Sequence, residues 1–475
     1  MTHYNPLKDR HIRALEDIVG SDNVSTRPEE LYCYSMDSTL FTYKPEVVVR
    51  PQCTEHVAEI LKMADKELIP VTPRGAGTSA AGSPLPVCGG IVLDMCSMNK
   101  IESISFEDQV VITQPGVICD FLNDKLKEKG FFFPPDPASS PACTIGGMVA
   151  NNASGNRTMK YGPTRNFVLW LEVVLPGGKI IETGSQTLKS VSDYDLTRLF
   201  VGSEGSLGVV TKVALKIVPM PSGIGTACFI FDSVEKLARA AAKVRLSGII
   251  PEMLEFLDRN TTYATFSYAK IEGLPEGNFL LLDLGEHKEA IEHVLEKSVS
   301  ICRKESPEYV DKTTDLEYRE TLILARKAAL PALSRLKITT AMEDCTVPLS
   351  KLPEAAAKIE KIPQVLNVEG LDLGNFGHIG DGNMHPTFLF DAREKAQKEA
   401  FYKGMEILYK DIVLPLGGSI TAEHGIGLTR APYIALEHPT SLPLMRKLKK
   451  VFDPNLILNP GKGKGGPYPI EKGVL

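Results

Sequence analysis

The chain has few of the residues that signal several common chemistries. Its nine cysteines, at positions 33, 53, 88, 96, 119, 143, 228, 302 and 345, form no CxxC pair, so zinc-ribbon and iron-sulfur sites have no ligand spacing to build on. Their odd number and scatter suit reduced thiols and a cytoplasmic location. No segment approaches the roughly 18–20 apolar residues of a membrane span, and MTHYNPLKDRHIRALEDIVG at the amino terminus has no apolar secretory stretch. A soluble chain without direct membrane insertion is expected, any membrane role being through a partner. The net charge of −6 is modest, with acids and bases interspersed and no basic stripe, which argues against nucleic acid and favours a small-molecule partner.

What is present is an ordinary globular composition in 475 residues, enough for two or three domains. Residues 1–44 read as a helix, LKDRHIRALEDIVG, and a polar connector. From Pro45 short β-rich runs follow (EVVVRP, LIPVTPRG, GGIVLDM, DQVVITQPG, FVLWLEVVLPGG, LGVVTKVALKIVP), broken by glycine and proline turns, with one clear helix in TEHVAEILKMADKE. The second half opens on the amphipathic SVEKLARAAAKVRLSG and mixes strand-like FLLLDLG with helical runs, which predicts an antiparallel sheet backed by helices. The fold class is therefore α+β. The closing VFDPNLILNPGKGKGG reads as a frayed tail.

The run TPRGAGTSAAGSPLP follows an apolar strand and carries glycines at 75, 77 and 82. Glycine permits positive φ and close backbone approach, so successive N–H groups can face a phosphate, with Thr78 and Ser79 adding hydroxyls. It is neither a Walker loop nor a GxGxxG fingerprint. An anion cradle and a plain turn both fit the loop by itself. A second stretch, residues 131–178, packs Pro, Gly, Ser, Thr and Asn into a span too long for a simple connection, and long irregular segments in compact domains usually carry function.

PRGAGTSAAG, PPDPASSPACTIGG, ANNASGN, KYGPTR and LFVGSEGSLGVVTKVALKIVP together resemble the flavin-binding domain of the vanillyl-alcohol-oxidase type, in its glycolate oxidase and D-lactate dehydrogenase branch. The resemblance spans about residues 45–465. It implies a two-part FAD-binding domain over 45–221 and a substrate or cap domain with a metal site over 222–414. Residues 415–475 would complete the active site and pack on the FAD domain. Arg74, Gly75, Ala76, Gly77, Thr78, Ser79 and Gly82 match the pyrophosphate loop. Pro135, Asp136, Thr144, Gly146, Gly147, Asn152, Gly155, Tyr161 and Gly162 match flavin-lining segments, and Gly208, Val209 and Val210 match the adenine-side strand. Some relatives attach FAD through a histidine in the first loop; residues 73–86 hold none, so the FAD is expected to be noncovalent.

GNFGHIGDGNMHP, residues 374–386, sets two histidines seven positions apart. On one continuous strand they would face opposite sides. A hairpin turn at Gly380-Asp381-Gly382-Asn383 would bring both rings to its base. Two imidazoles then need a third ligand, and a carboxylate would complete an open His2Glu site. TAEHGIG offers the adjacent Glu423 and His424, although such a pair alone is a common surface feature. The resemblance implies that His378, His385 and Glu423 bind a divalent metal, zinc first with manganese or iron as alternatives. It also implies that His424 is the catalytic base and that Arg326, in LILARKAALPAL, binds the substrate carboxylate.

Relatives that prefer 2-hydroxyglutarate carry a lysine where Met342 stands and an asparagine where Thr387 stands, so a small monocarboxylate is expected: D-lactate first, then glycolate. With no cluster motif in the chain, electrons would pass to an iron-sulfur or electron-transferring flavoprotein subunit. The rival readings are a D-2-hydroxyglutarate dehydrogenase, a metal-independent flavin oxidase and a non-catalytic electron-transfer subunit.

Overall fold

A computed structural model describes residues 4–462, which divide into two compact units. The first contains the described residues up to Ser154, Pro163–Met220 and those from Glu423 on; the second contains Gly155–Gly162 and Pro221–Ala422. The eight residues of Gly155–Gly162 and the stretch 415–422 thus group with the second unit, where linear boundaries at 221 and 414 would not put them.

Among the described residues the first unit holds two larger sheets and a two-stranded pair, Phe131–Phe132 with Val218–Pro219. In one, Val47–Val49, Ile91–Asp94 and Val71–Arg74 run parallel, with Val24–Ser25 added antiparallel at the edge. The apolar runs Val47–Val49 and Ile91–Leu93 follow from this, because a parallel strand is covered on both faces, while Arg74 and Asp94 close their strands with charge. Helix Thr54–Glu67 makes the crossover from Val47–Val49 to Val71–Arg74, and buries Val57, Ile60, Leu61 and Ala64 at helical spacing against the sheet. Helix Asp9–Val19 adds Leu15 and Val19 to the same core. The other sheet is antiparallel in the order Ile101–Ser105, Val110–Thr113, Val209–Lys216, Val168–Val174, Ile180–Gly184.

The carboxyl-terminal run corrects the expectation of a frayed tail as far as Lys462. Leu458 bridges Val71 in parallel, Ile457 and Leu458 are fully buried, and the Asp453 carboxylate accepts from both of their N–H groups, at 3.0 and 2.8 Å. Apolar Ile-Leu beside an unsatisfied strand edge outweighs the glycines that follow. The rest of GKGKGG lies outside the described residues.

The second unit is built on an antiparallel sheet in the order Tyr309–Thr313, Gly223–Phe231, Asn278–Glu286, Met253–Leu257, Asp372–Gly377, Asn383–Phe390, Thr339–Met342. Both faces are covered. Cys228, Ile230, Leu257, Phe279 and Phe376 pack under helices Leu316–Lys327 and Ala329–Leu333. On the other face, a Cβ at Gly225 would touch Ile291 and Leu295 of helix Ile291–Arg303. The expected α+β class, with helices backing an antiparallel sheet, is what forms.

The GDGN hairpin is present. Asp372–Gly377 pairs with Asn383–Phe390, placing Phe376 opposite His385 and Gly374 opposite Thr387. The His378 carbonyl accepts from both Asp381 and Asn383, each at 3.2 Å, closing the turn. Gly382 sits at φ +86, and a Cβ there would lie 2.3 Å from the Val347 carbonyl oxygen. Gly382→Ala should therefore lower stability by about 1–3 kcal/mol, read as a shift of the urea midpoint; an unchanged midpoint would mean the turn tolerates a side chain.

Candidate active site

The loop after Val71–Arg74 is shaped by its arginine. The Arg74 guanidinium is buried, donates to the Met36 carbonyl at 2.9 Å and lies 5.5 Å from the Tyr34 ring centre. Burial lowers the Arg74 pKa, while Asp37, Tyr34 and Asp94 oppose that shift. Gly77 curls around the guanidinium at φ +74, so closely that a Cβ would lie 2.1 Å from Nη2. Gly75 leaves the same kind of room for Thr144, whose Oγ1 would be 2.3 Å from a Cβ. Among the described residues the N–H groups of Ala76, Gly77 and Thr78 have no hydrogen-bond partner, and the Arg74 Nη1 is buried without one. A loop of unengaged amides with a buried cation beneath it suits a phosphate. Further along, Gly82 gives its N–H to Asp37 at 2.9 Å and Ser79 accepts from Ser38 at 3.0 Å, so those two groups brace the loop.

The other residues expected to line the cofactor are divided between the units. Thr144 caps helix Ile145–Asn151, its hydroxyl accepting from Gly147 at 3.2 Å; Gly146 lets that helix approach Pro115, where a Cβ would be 2.4 Å away. Pro135 and Asp136 precede this cap. Asn152 stands at φ +58 and accepts from the Arg165 N–H at 2.9 Å. Gly208 leads into Val209–Lys216, with room for no side chain beside Val173. Gly155, Tyr161 and Gly162 belong to the second unit, where the Tyr161 hydroxyl donates to Glu252 at 2.7 Å.

Lys462 places an amine in the core of the first unit. Its amino group is buried and donates to the Leu85 carbonyl, and burial pushes its pKa down to about 7 against the pull of Glu204 and Asp37. Glu204, at φ +54, accepts from Ile426 N–H, Gly427 N–H and Ser83 hydroxyl, all at 2.9 Å. That carboxylate fixes the loop that follows Glu423 and His424. Glu423 is itself held: its carbonyl accepts from Asn151 at 2.6 Å, its Oε2 from the Ser154 hydroxyl at 2.6 Å, and His424 Nε2 lies 3.4 Å from its Oε1.

In the second unit His378 and His385 come together, ring centres 5.3 Å apart and nearly perpendicular. His378 Nδ1 is 2.8 Å from Glu255 Oε1, and the other oxygen of Glu255 accepts from Arg326 Nε at 2.7 Å. Burial alone would raise the Glu255 carboxyl, but His378 and Arg326 hold it below the usual range. Arg326 also stacks 4.9 Å over Phe376. On the other side His385 Nδ1 is 3.6 Å from Asp344 Oδ1, and Asp344 accepts from Asn383, Thr421 and the Ala422 N–H at 2.7, 2.6 and 2.8 Å. Each histidine thus has its Nδ1 facing a carboxylate, the arrangement that orients metal-binding imidazoles. The expected ligands divide between the units, His378 and His385 in the second, Glu423 with His424 in the first. Glu255, Asp344 and Glu204 were not picked out from the sequence. The signal for Glu255 was there, since a lone acid in the apolar run MLEFL has to be paired when the strand is buried.

Two family descriptions match the chain, "FAD binding domain" over residues 45–184 and "FAD linked oxidases, C-terminal domain" over residues 220–463. The glycolate oxidase subunit GlcD of Bacillus subtilis (strain 168) is 39% identical over 452 residues, 94% of this chain and 95% of its own length. A D-lactate dehydrogenase of Anaerostipes hadrus is 32% identical over 429 residues, 88% of this chain and 89% of its own. Among solved structures, p-cresol methylhydroxylase with substrate bound aligns over 96% of this chain and 97% of its own, with a TM-score of 0.77 at 17% identity, a likeness of fold. The cradle and the fold define an FAD-dependent oxidoreductase. The chain belongs to the FAD-linked oxidases with a flavin-binding domain of the vanillyl-alcohol-oxidase type.

Two outcomes test this geometry. Gly77→Ala should weaken FAD retention by about tenfold or more, because strain of about 1–3 kcal/mol falls on the cradle; the readout is flavin fluorescence released on dilution, and unchanged retention would remove Gly77 from the cradle. Lys462 binds its proton less tightly folded than unfolded, so its protonation opposes folding below about pH 7 and that penalty fades as pH rises toward about 10.4. Stability should climb with pH over that window in the native chain and less steeply in Lys462→Met, by urea melts at pH 7 and 9.

Proposed function

We propose that the protein oxidises a small D-2-hydroxy acid, D-lactate before glycolate, to the 2-oxo acid and passes the electrons to a separate iron-sulfur or electron-transferring flavoprotein subunit. The observation that carries this reading is the histidine pair at the hairpin base with the Glu255 carboxylate on His378, a donor set that suits a divalent ion better than a structural turn. The names of the relatives, a glycolate oxidase subunit and a D-lactate dehydrogenase, support the substrate class.

His378, His385 and Glu423 would hold the metal, zinc first with manganese or iron as alternatives, and the phosphate cradle of Arg74–Ser79 would hold FAD noncovalently. Bound FAD supplies a two-electron acceptor for hydride, and a bound divalent ion supplies Lewis acidity that lowers a hydroxyl pKa. The chain's own residues do the rest. His424, whose Nε2 faces the Glu423 carboxylate, takes the hydroxyl proton, which releases the electron pair that drives hydride from the substrate carbon. Arg326 meets the substrate carboxylate through its Nη groups, its Nε being held by Glu255, so the guanidinium plane is fixed before substrate arrives. Glu255, accepting from His378 Nδ1–H, would present the other ring nitrogen to the metal.

Chain length is read by a cross-strand pair. Met342 lies opposite Thr387 in the register of Thr339–Met342 with Asn383–Phe390, and the Thr387 hydroxyl already donates to the His385 carbonyl at 3.0 Å. Neither residue offers a second carboxylate a cation. Purified FAD-loaded protein mixed anaerobically with D-lactate, L-lactate, glycolate or D-2-hydroxyglutarate should lose its oxidised-flavin absorbance fastest with D-lactate. No bleaching by any of them would sink the proposal, and bleaching untouched by chelator would remove the metal from it. His424→Ala should slow bleaching by about two to four orders of magnitude. Met342→Lys should improve D-2-hydroxyglutarate relative to D-lactate by about tenfold, the scale of one charge-assisted hydrogen bond of about 1.5–3 kcal/mol.

A further inference from the structure

Two of the nine cysteines are neighbours across a short antiparallel bridge in the first unit. Ile118 pairs with Thr144; Ile145 N–H donates to the Val117 carbonyl at 2.8 Å and Cys119 N–H to the Cys143 carbonyl at 3.1 Å. That pattern sets Cys119 directly opposite Cys143, at a position where Cα atoms lie about 5.5 Å apart. A disulfide requires a Cα separation of roughly 4.4–6.8 Å, a range that an antiparallel pairing in this register meets. Both residues are buried and both thiols are free. The Cys119 S–H donates to the Pro135 carbonyl at 3.7 Å, and the two thiols are close enough to interact, which lowers the pKa of Cys143 and raises that of Cys119. Cys143 is the more acidic of the two and so the better candidate for the attacking sulfur, and it follows directly on the exposed Pro141 and Ala142.

The pair stands where it would be felt. Cys119 begins helix Cys119–Lys127, its sulfur 3.7 Å from the Pro135 carbonyl; Asn123 of the same helix holds the N–H and carbonyl of Phe133, at 2.8 and 3.2 Å. Cys143 precedes Thr144, whose hydroxyl caps the next helix and fills the space left by Gly75 of the phosphate cradle. A bond between the two sulfurs would close the irregular stretch from Phe133 to Thr144 at both ends.

We propose that Cys119 and Cys143 are a redox pair, closed to a disulfide by hydrogen peroxide, that pins the Pro135–Thr144 segment beside the cofactor cradle. The Cys143 thiolate attacks one peroxide oxygen, the O–O bond breaks, and hydroxide leaves to give a sulfenic acid at Cys143. The Cys119 sulfur then forms the S–S bond and displaces the sulfenic oxygen, which departs as water with the Cys119 proton. In total two thiols and one peroxide yield one disulfide and two waters; the sulfurs lose two electrons and the peroxide oxygens gain them. In a reducing compartment disulfides of this kind are transient and sensory.

The test treats the FAD-loaded full chain with hydrogen peroxide, quenches it, alkylates under denaturing conditions and maps the peptides. The expected result is loss of two thiols per chain, a cross-linked peptide joining Cys119 to Cys143 that dithiothreitol reverses, and several-fold slower release of FAD on dilution, followed by flavin fluorescence. Cys143→Ser should abolish both the cross-link and the change in release. Because the mapping needs only the native chain, poor folding of that variant does not blunt the test. Thiol loss without this cross-link overturns the pair, and a cross-link that leaves FAD release unchanged overturns the pinning.

Discussion

The histidine-bearing face of the second unit is organised around a carboxylate shut off from solvent, Glu255. Glu255 lies in a strand buried on both faces, and an isolated charge there would cost several kcal/mol. The chain surrounds it with Arg326 on one oxygen and His378 on the other, and the same two bonds that satisfy the acid fix both the guanidinium and the imidazole. The helix Leu316–Lys327 cannot slide without breaking the arginine bond, and the imidazole cannot flip without breaking the histidine bond. A requirement of burial thereby becomes positional order at the residues best suited to metal and carboxylate.

The first unit uses the same device. Glu204 gathers Ser83, Ile426 and Gly427 on one carboxylate, and the segment bearing Glu423 and His424 is further tied through Asn151 and Ser154. Glu204 and Glu255 each accept more than one hydrogen bond, which satisfies the polar atoms of a buried acid. The glycines around them are space-makers. Gly75, Gly77 and Gly146 are each placed where a methyl group would strike Thr144, Arg74 or Pro115.

Much of this was legible in the sequence, and for definite reasons. TEHVAEILKMADKE has apolar residues at helical spacing and forms Thr54–Glu67; GDGN is a turn signal between two apolar runs and forms the hairpin that joins His378 to His385. The glycine-rich motifs carried the flavin domain. What could not be read is long-range. Gly155–Gly162 joins the second unit because Arg157 and Tyr161 reach Glu252, about ninety residues away in the chain, and no local pattern encodes that pairing. The burial of Lys462 escaped notice because lysine between glycines looks solvated until Leu85, Asp37 and Glu204 are known to surround it. Arg326 was legible as a cation but not as one already bonded through Nε.

The bridge between Val71 and Leu458 has a consequence for how the protein is made. The second unit is nearly one continuous stretch, Pro221–Ala422, whereas the first closes its parallel sheet with a segment almost four hundred residues further along the chain. A ribosome delivers the chain from the amino end, and domains fold as they emerge. The cofactor domain is thus begun first and completed last, after most of the unit inserted in it has left the ribosome. The parallel sheet is closed late in the life of the chain, and a truncation that removes only the Asp453–Lys462 segment would strike the earliest-made sheet.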